Sequence, residues 1–199
     1  MYHITCSVKT VMSRAIITNF LLFQLGWFAC VLGGAYDQVV LGCMIAISVI
    51  AYHFYQTHEL MPELRLLTIS LIIGITFESI VTSSGFARYS HGQPFEVIAP
   101  LWMILMWPLF ATTLNLSMRW LKNLSPVLIG LAGGLMAPMA YYAGNRLGAV
   151  EYDQLALSLG IIALAWAAIL PGLVTFSLKH NGFNKAVVKL DDSEAPQNV

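Results

Sequence analysis

Long apolar stretches dominate the chain. Five windows contain no Asp, Glu, Lys or Arg, namely residues 15–36, 38–58, 97–118, 123–145 and 154–178. A sixth apolar stretch, from Leu66 to Phe86, holds one charge, Glu78. A helix needs about 20 apolar residues to cross a bilayer, and none of these stretches alternates as the strands of a membrane barrel do. The pattern predicts an all-α bundle of six transmembrane helices, at roughly 16–34, 38–56, 65–84, 98–118, 125–145 and 155–178.

Composition supports a membrane protein. Hydrophobic residues make up 58% of the 199 residues, charged residues only 10%, and the formal net charge is zero. So few charges exclude an ordinary soluble enzyme and a nucleic-acid-binding protein, which needs a basic surface. The three cysteines are irregularly spaced, and no metal-binding or phosphate-binding motif occurs. We therefore expect no metal, no cofactor and no nucleic-acid partner, with membrane lipids as the surroundings.

The charges outside the apolar windows predict the domain organisation. Residues 1–14 form an N-terminal segment, residues 15–178 the transmembrane domain, and residues 179–199 a polar tail expected to be disordered. With both termini in the cytoplasm, eight of the ten Lys and Arg residues fall on the cytoplasmic side. Only Arg88 and Arg146 fall outside. This bias predicts cytoplasmic termini by the positive-inside rule. The oligomeric state is left open.

Glu78 is the most informative residue. A charge inside the bilayer costs several kcal/mol unless it is paired, hydrated or neutralised. Glu78 follows Arg65 by 13 residues, which is about 20 Å along a helix and places it in the outer half of the membrane. One hypothesis is a carboxylate in a small polar cavity, and the other is a carboxyl that serves packing alone.

Other polar and aromatic residues belong to the same cavity hypothesis. Arg88 and Arg146 are candidate partners of Glu78, or else they form ordinary ion pairs in the loops. Trp107 lies near mid-membrane, where its N–H needs a partner. Tyr141 and Asn145 end a stripe on the fifth helix. The candidate binding residues are Glu78, Arg88, Trp107, Tyr141, Asn145 and Arg146.

A further set of residues is assigned to helix packing. Asn19 and Gln24 are too polar to face lipid, so we expect them to bond to neighbouring helices. Gly130 and Gly134 form a Gly-x-x-x-Gly pair that lets another helix approach closely, and Pro138 is expected to kink the fifth helix. Three further local signals complete the pattern. Ser125 and Pro126 are typical of a helix start, Pro62 indicates a turn, and His53 is expected to be solvated at the interface.

Three groups of residues together resemble a known family. They are Asn19-x-x-x-Phe23-Gln24-x-x-Trp27-Phe28; Pro100-x-Trp102 with Trp107-x-x-Phe110-Ala111-x-Thr113-Leu114; and Gly133-Gly134-x-x-x-Pro138-x-x-Tyr141-x-Ala143-Gly144. In order and spacing they resemble small bacterial inner-membrane proteins grouped as domain of unknown function 2878. The resemblance covers residues 15–178 and implies a multi-pass protein of the bacterial cytoplasmic membrane, with Glu78 as the family's acidic residue in the third helix. It implies no activity.

Three classes of function remain open. The first is a protein whose outer-half cavity binds or passes a small or lipid-like ligand. The second is an integral membrane enzyme that acts on a lipid, with Glu78 as acid or base. The third is an accessory or scaffolding subunit. No nucleophile–base pair is visible, so the catalytic residues are unknown and enzymatic activity is undecided.

Overall fold

The computed structural model describes residues 2–183, with side chains from residue 14 onward. Most of the predicted tail, residues 184–199, lies outside the described part. The described chain contains six α-helices: α1 (Tyr2–Ala35), α2 (Val39–Gln56), α3 (Leu60–Ser83), α4 (Leu101–Leu114), α5 (Pro126–Arg146) and α6 (Leu155–Lys179). A 3-10 helix, Arg119–Asn123, joins α4 to α5. Five of the six α-helices, all except α4, are long and apolar enough to cross a membrane, as in a multi-pass membrane protein.

The helices run up and down between two ends of the bundle. At one end the start of α3 meets the ends of α4 and α6, because Asn115 bonds to Glu63 and to the carbonyl of His180. This is the basic end, since Arg14, Arg65, Arg119, Lys122 and Lys179 all lie near it in the chain. At the other end, the strand end, β1 (Arg88–Tyr89) pairs antiparallel with β2 (Val150–Glu151). The two short strands tie the α3–α4 connection to the α5–α6 connection.

The fourth helix differs from its predicted span of 98–118. It has only 14 residues, about 21 Å at 1.5 Å per residue, which is less than the roughly 30 Å of a hydrocarbon core. It packs against α1, α2 and α3, and most of its side chains are buried. A helix enclosed in this way needs little contact with lipid along its length. The chain after it turns from residue 115 because Asn115 and Ser117 bond to other helices.

Glycines set the close packing of α5 on α6. A Cβ at Gly133 would lie 2.5 Å from the carbonyl oxygen of Trp166, and one at Gly130 would lie 2.8 Å from that of Ala167. Gly134 leaves slightly more room, with 3.3 Å to the carbonyl oxygen of Ala163. The helix begins as expected at Pro126, with the Ser125 side chain accepting from the N–H of Leu128.

Asn19 joins α1 to the end of α4. Its amide donates to the carbonyl of Thr112 (3.2 Å), and its oxygen accepts from the hydroxyl of Ser117 (2.6 Å). The contacts of Asn19 account for a polar residue in an apolar stretch, because they satisfy its amide group with a buried carbonyl and a half-buried hydroxyl of the neighbouring chain.

Helix α5 is continuous through Pro138 and ends at Arg146.

We predict that Gly133→Ala destabilises the protein more than Gly134→Ala. The extra methyl at Gly133 meets a backbone oxygen that cannot move without shifting α6, which costs about 1–3 kcal/mol, whereas Gly134 tolerates a shift of a few tenths of an ångström. Thermal unfolding of the purified protein in detergent measures both midpoints. Equal midpoints, or a lower one for Gly134→Ala, would contradict the packing described here.

Candidate functional site

The carboxyl group of Glu78 lies fully buried in the half of the bundle nearer the strand end. Three aromatic side chains from three different elements donate hydrogen bonds to it. Trp107 Nε1 on α4 donates to Oε1 (3.0 Å), the hydroxyl of Tyr141 on α5 donates to the same oxygen, and the hydroxyl of Tyr89 on β1 donates to Oε2 (3.2 Å). The structure therefore brings together three of the predicted candidates, Glu78, Trp107 and Tyr141, and adds Tyr89.

One face of α3 positions Trp107 for this contact. Ser70, Gly74 and Glu78 recur every four residues and share that face. The Ser70 hydroxyl donates to the carbonyl of Trp107 (2.8 Å). Gly74 leaves room for the indole, since a Cβ there would lie 2.3 Å from Trp107 Cγ. The ring also stacks on Trp166 of α6, with centroids 4.8 Å apart.

The arginines do not reach Glu78. Arg88 is 65% exposed and pairs with Asp153, and Arg146 is exposed. Asn145 donates to the carbonyl of Val150 (2.9 Å), which holds the end of α5 to β2. Of the two alternatives for Arg88, the structure has the ordinary ion pair between loops, because Asp153 on the α5–α6 connection lies beside it. Among the described side chains, Glu78 has only neutral hydrogen-bond partners.

Two tyrosines near Glu78 lie in the connections at the strand end. Burial, with the nearby Glu78 carboxylate as a smaller cause, raises the pKa of Tyr89 and that of Tyr152 well above the usual value for a phenol. Both phenols therefore stay protonated, as donors, across the physiological range. The Tyr152 hydroxyl is buried and has no hydrogen-bond partner among the described residues.

A cavity of about 390 Å³ lies between α1 on one side and α5 and α6 on the other, with α4 as its base. It extends from Met118 near the basic end to Val150 at the strand end. Its wall is mostly aromatic and methionine side chains, so it is apolar where the sequence predicted a polar cavity, and it is not confined to the outer half. The residues from the sequence prediction on this wall are Gln24, Trp107 and Tyr141. Arg88, Asn145 and Arg146 are not on it.

Glu78 itself lies behind the cavity wall. It is completely buried, and Trp107 and Tyr141, which both line the cavity, stand between it and the open space. Both of these side chains donate to the same oxygen of Glu78. The carboxyl group can therefore influence the cavity through two hydrogen-bonded rings.

A second buried polar cluster lies at the basic end, around Glu63. His53 Nε2 lies 2.9 Å from one oxygen of Glu63, and the other oxygen accepts from Asn115 (2.6 Å) and from the backbone N–H of Gly182 (2.8 Å). Lys122 extends the cluster by donating to the Asn115 oxygen and to the carbonyl of Ser177 (3.2 Å). The expectation that His53 is solvated is wrong, because its side chain is only 2% exposed.

The segment after α6 docks into this cluster. The carbonyl of Gly182 accepts from the N–H groups of His58 and Glu59 (both 3.1 Å). A Cβ at Gly182 would lie 2.3 Å from the carbonyl oxygen of Glu59, so the segment fits only without a side chain there. Phe183 packs its ring near His53, with centroids 5.3 Å apart. Glu63 thus links α2, α3, α4 and the end of α6.

Sequence reasoning missed Glu63 because Pro62 indicates a turn before it. Proline is tolerated in the first turn of a helix, where its missing N–H costs nothing, and α3 begins at Leu60. A readable signal was present nevertheless. Glu63, Leu67, Ser70, Gly74 and Glu78 recur at intervals of three and four, so both acids lie on one helix face.

These features define a class: a multi-pass helical membrane protein with a buried carboxyl group behind an apolar cavity. A family model described as "Protein of unknown function (DUF2878)" matches residues 16–172, and the chain belongs to this family. The resemblance drawn from the sequence motifs is confirmed. A search of curated proteins and a search of solved structures each find no match.

We predict a pH-dependent contribution of Lys122 to stability. Burial lowers the pKa of Lys122 from 10.5 to about 8, although the nearby Glu63 opposes this shift. Between these two pH values the unfolded chain binds more protons than the folded one, so the Lys122 contribution makes the free energy of unfolding rise with pH. The unfavourable burial of the ammonium is fully present below pH 8 and is relieved as the pH approaches 10.5.

Lys122→Met removes this term, so the variant should gain less stability than the wild type between pH 8 and pH 10. Unfolding midpoints at both pH values give the change in stability with pH for each protein. Subtracting the change in the variant from that in the wild type removes the contribution of all groups that the two proteins share. Lys179→Met, an exposed lysine at the same end, is the control and should follow the wild type. Parallel profiles for Lys122→Met and the wild type would contradict the prediction.

Proposed function

We propose that this protein binds an apolar, membrane-soluble ligand in the cavity between α1 and α5, within the bacterial cytoplasmic membrane. The observation that carries the proposal is the cavity itself, with about 390 Å³ of space between the apolar helices α1 and α5. This volume lies in the range of small-molecule sites, which are mostly apolar with a few polar groups.

The chemistry of the wall supports an apolar ligand. Phe23, Trp27, Phe110 and Trp166 supply flat aromatic surfaces, and several methionines line the remainder. Methionine adapts to irregular apolar shapes because its side chain is unbranched and polarisable. Tyr141 and Gln24 are polar groups on this wall that can orient the ligand.

The position of the cavity supports entry from the lipid phase. Helix α5 packs mainly on α6, whereas α1 packs on α2 and α4. The cavity therefore lies at the boundary between two helix groups, where a ligand dissolved in the bilayer reaches it between α1 and α5 without crossing water.

We further propose that all six helices span the membrane with both termini in the cytoplasm. Helix α4, although short, begins after the connection at the strand end and ends toward the basic end, which is the direction that a fourth span requires. Arg14, Arg65, Arg119, Lys122 and Lys179 cluster by chain position at one end, against Arg88 and Arg146 at the other. An excess of Lys and Arg is typical of the cytoplasmic side of a membrane protein, so we assign the basic end to the cytoplasm.

We predict that Ala140→Phe blocks ligand binding. Ala140 lines the cavity, so a phenyl ring there occupies the space of the ligand. Delipidated protein in detergent is titrated with an uncharged diacylglycerol whose acyl chains carry bromine, which quenches nearby tryptophan fluorescence. Four of the tryptophans, Trp27, Trp102, Trp107 and Trp166, line the cavity. We expect saturable quenching in the wild type and a strong reduction in the variant.

Ala168→Phe is the matched control, because Ala168 is exposed on α6 and does not line the cavity. It should quench like the wild type. Quenching that is non-saturable, or equal in the two phenylalanine variants, would contradict ligand binding in this cavity and favour the scaffolding alternative.

We predict opposite accessibility for Asn123→Cys and Glu96→Cys in a background without native cysteines. Both positions are exposed, and they lie at the basic end and the strand end. A membrane-impermeant maleimide added to intact cells should label Glu96→Cys alone, and lysis should expose Asn123→Cys. Labelling of Asn123→Cys in intact cells would overturn the proposed orientation.

A further inference from the structure

The charge around Glu78 is unbalanced. The groups that face its carboxyl oxygens are the indole of Trp107 on α4 and the phenols of Tyr141 on α5 and Tyr89 on β1. Tyr152 is the remaining titratable group that acts on the site. All four are neutral at physiological pH.

The charged groups at the strand end point elsewhere. Arg88 and Asp153 neutralise each other on the surface, while Arg146 and Glu151 are exposed. Neutral donors stabilise a buried carboxylate, but they do not cancel its charge, and an uncompensated charge in an apolar medium costs several kcal/mol. Within the described residues, no positively charged side chain lies close enough to cancel the charge of a Glu78 carboxylate. The balancing positive charge must therefore be a proton or a cation from outside the chain.

The cavity offers a cation a position near the carboxyl group, separated from it by the rings of Trp107 and Tyr141. Trp107 and Tyr141 each present one edge to Glu78 and also line the cavity. A cation over an aromatic face is attracted by the negative potential of the ring, and an N–H or O–H donated to a carboxylate makes that ring richer in electrons. Trp27, Trp102 and Trp166 add further aromatic surface.

We propose that the cavity ligand is a lipophilic organic cation, such as an amphiphile with an ammonium group, and that this cation and a proton compete for the negative charge of Glu78. The inference rests on the proposed function and names the class of its ligand. When the cation enters, the carboxyl group of Glu78 releases one proton. The total charge of the occupied site then stays the same, with the carboxylate balanced by the ligand in place of the proton.

Two probes of equal shape and opposite charge test the proposal on the full-length protein in detergent. Tetraphenylphosphonium is a lipophilic cation, and tetraphenylborate is the matched anion. We expect the protein to bind the cation at least about ten-fold more tightly, since the site attracts positive charge. Equal affinities, or tighter binding of the anion, would overturn the proposal.

The wild-type protein also reports on the exchange directly. In weakly buffered solution, binding should release up to one proton for each cation bound. The affinity for tetraphenylphosphonium should rise with pH, by up to about ten-fold per pH unit while the carboxyl group is protonated. Binding with neither proton release nor pH dependence would overturn the exchange.

Glu78→Gln keeps an acceptor for Trp107 and removes the charge. We expect it to lose the pH dependence and at least about ten-fold in affinity for the cation, while Glu96→Gln, an exposed carboxyl at the strand end, binds like the wild type. Unchanged cation binding in Glu78→Gln would overturn the proposal. Quenching by brominated lipid separates the two failures: if it persists, the ligand is apolar but not cationic, and if it is also absent, the proposed function fails too.

Discussion

A carboxyl group withdrawn from water must find its hydrogen bonds inside the protein, and this constraint organises the bundle. Glu78 takes donors from α4, from α5 and from β1. No single neighbouring helix supplies all three. The antiparallel pairing of β1 with β2 brings Tyr89 and Val150 together, and Tyr89 then reaches across to Glu78. The short strands thus complete the coordination of a group that lies inside the helical bundle.

Two buried carboxyl groups on one face of α3 each find their hydrogen-bond partners inside the protein. Glu63 near its start and Glu78 near its end are both fully buried, and each bonds to α4, through Asn115 and Trp107 respectively. Between them, Ser70 bonds to the backbone of α4, and Gly74 lets the indole approach. Helix α4 is therefore held at its middle, through Trp107, and at its C-terminal cap, Asn115, by polar contacts with α3. A buried polar pair fixes register in a way that apolar packing does not, because a shift by one turn leaves both partners unsatisfied.

The helices could be predicted from the sequence because a helix that faces lipid must be apolar over its whole length. Five uncharged windows and one apolar stretch with a single charge located all six α-helices, and the ends of α2, α5 and α6 differ from their predicted ends by one residue at most. The single charge in the third window also identified Glu78 as a residue that needs partners. Trp107 was a candidate because an indole N–H near mid-membrane needs a partner, and Tyr141 because it lies at the polar end of a stripe on the fifth helix.

The remaining contacts join residues that are far apart in the sequence, and the periodicity of a single helix does not predict such contacts. The sequence left open whether Arg88 pairs with Glu78 or with an acid in the loops. Its actual partner, Asp153, is 65 residues away in the chain, and the pairing of the two strands brings it beside Arg88. Tyr89 was missed for the same reason. Glu63 was missed because a proline in the first turn of a helix reads as a loop. The apolar nature of the cavity follows from which faces of α1 and α5 look at each other, and that is settled by the packing of whole helices.

Tyr141 has a special place in this arrangement because α5 depends on few contacts outside α6. The glycines of α5 seat it on α6, and one of the contacts by which α6 joins the rest of the bundle is the stacking of Trp166 on Trp107. On the strand end of α5, the bond from Tyr141 to Glu78 crosses from one helix group to the other beside the cavity. A phenol bonds more strongly to a carboxylate than to a neutral carboxyl group. Any change in the charge of Glu78 therefore changes how firmly α5 is held against α3 and α4. Since α5 forms one wall of the cavity, the cavity is affected as well. Glu78, whose charge the proposed ligand and a proton compete to balance, therefore also helps to hold the shape of the cavity through its bond to Tyr141.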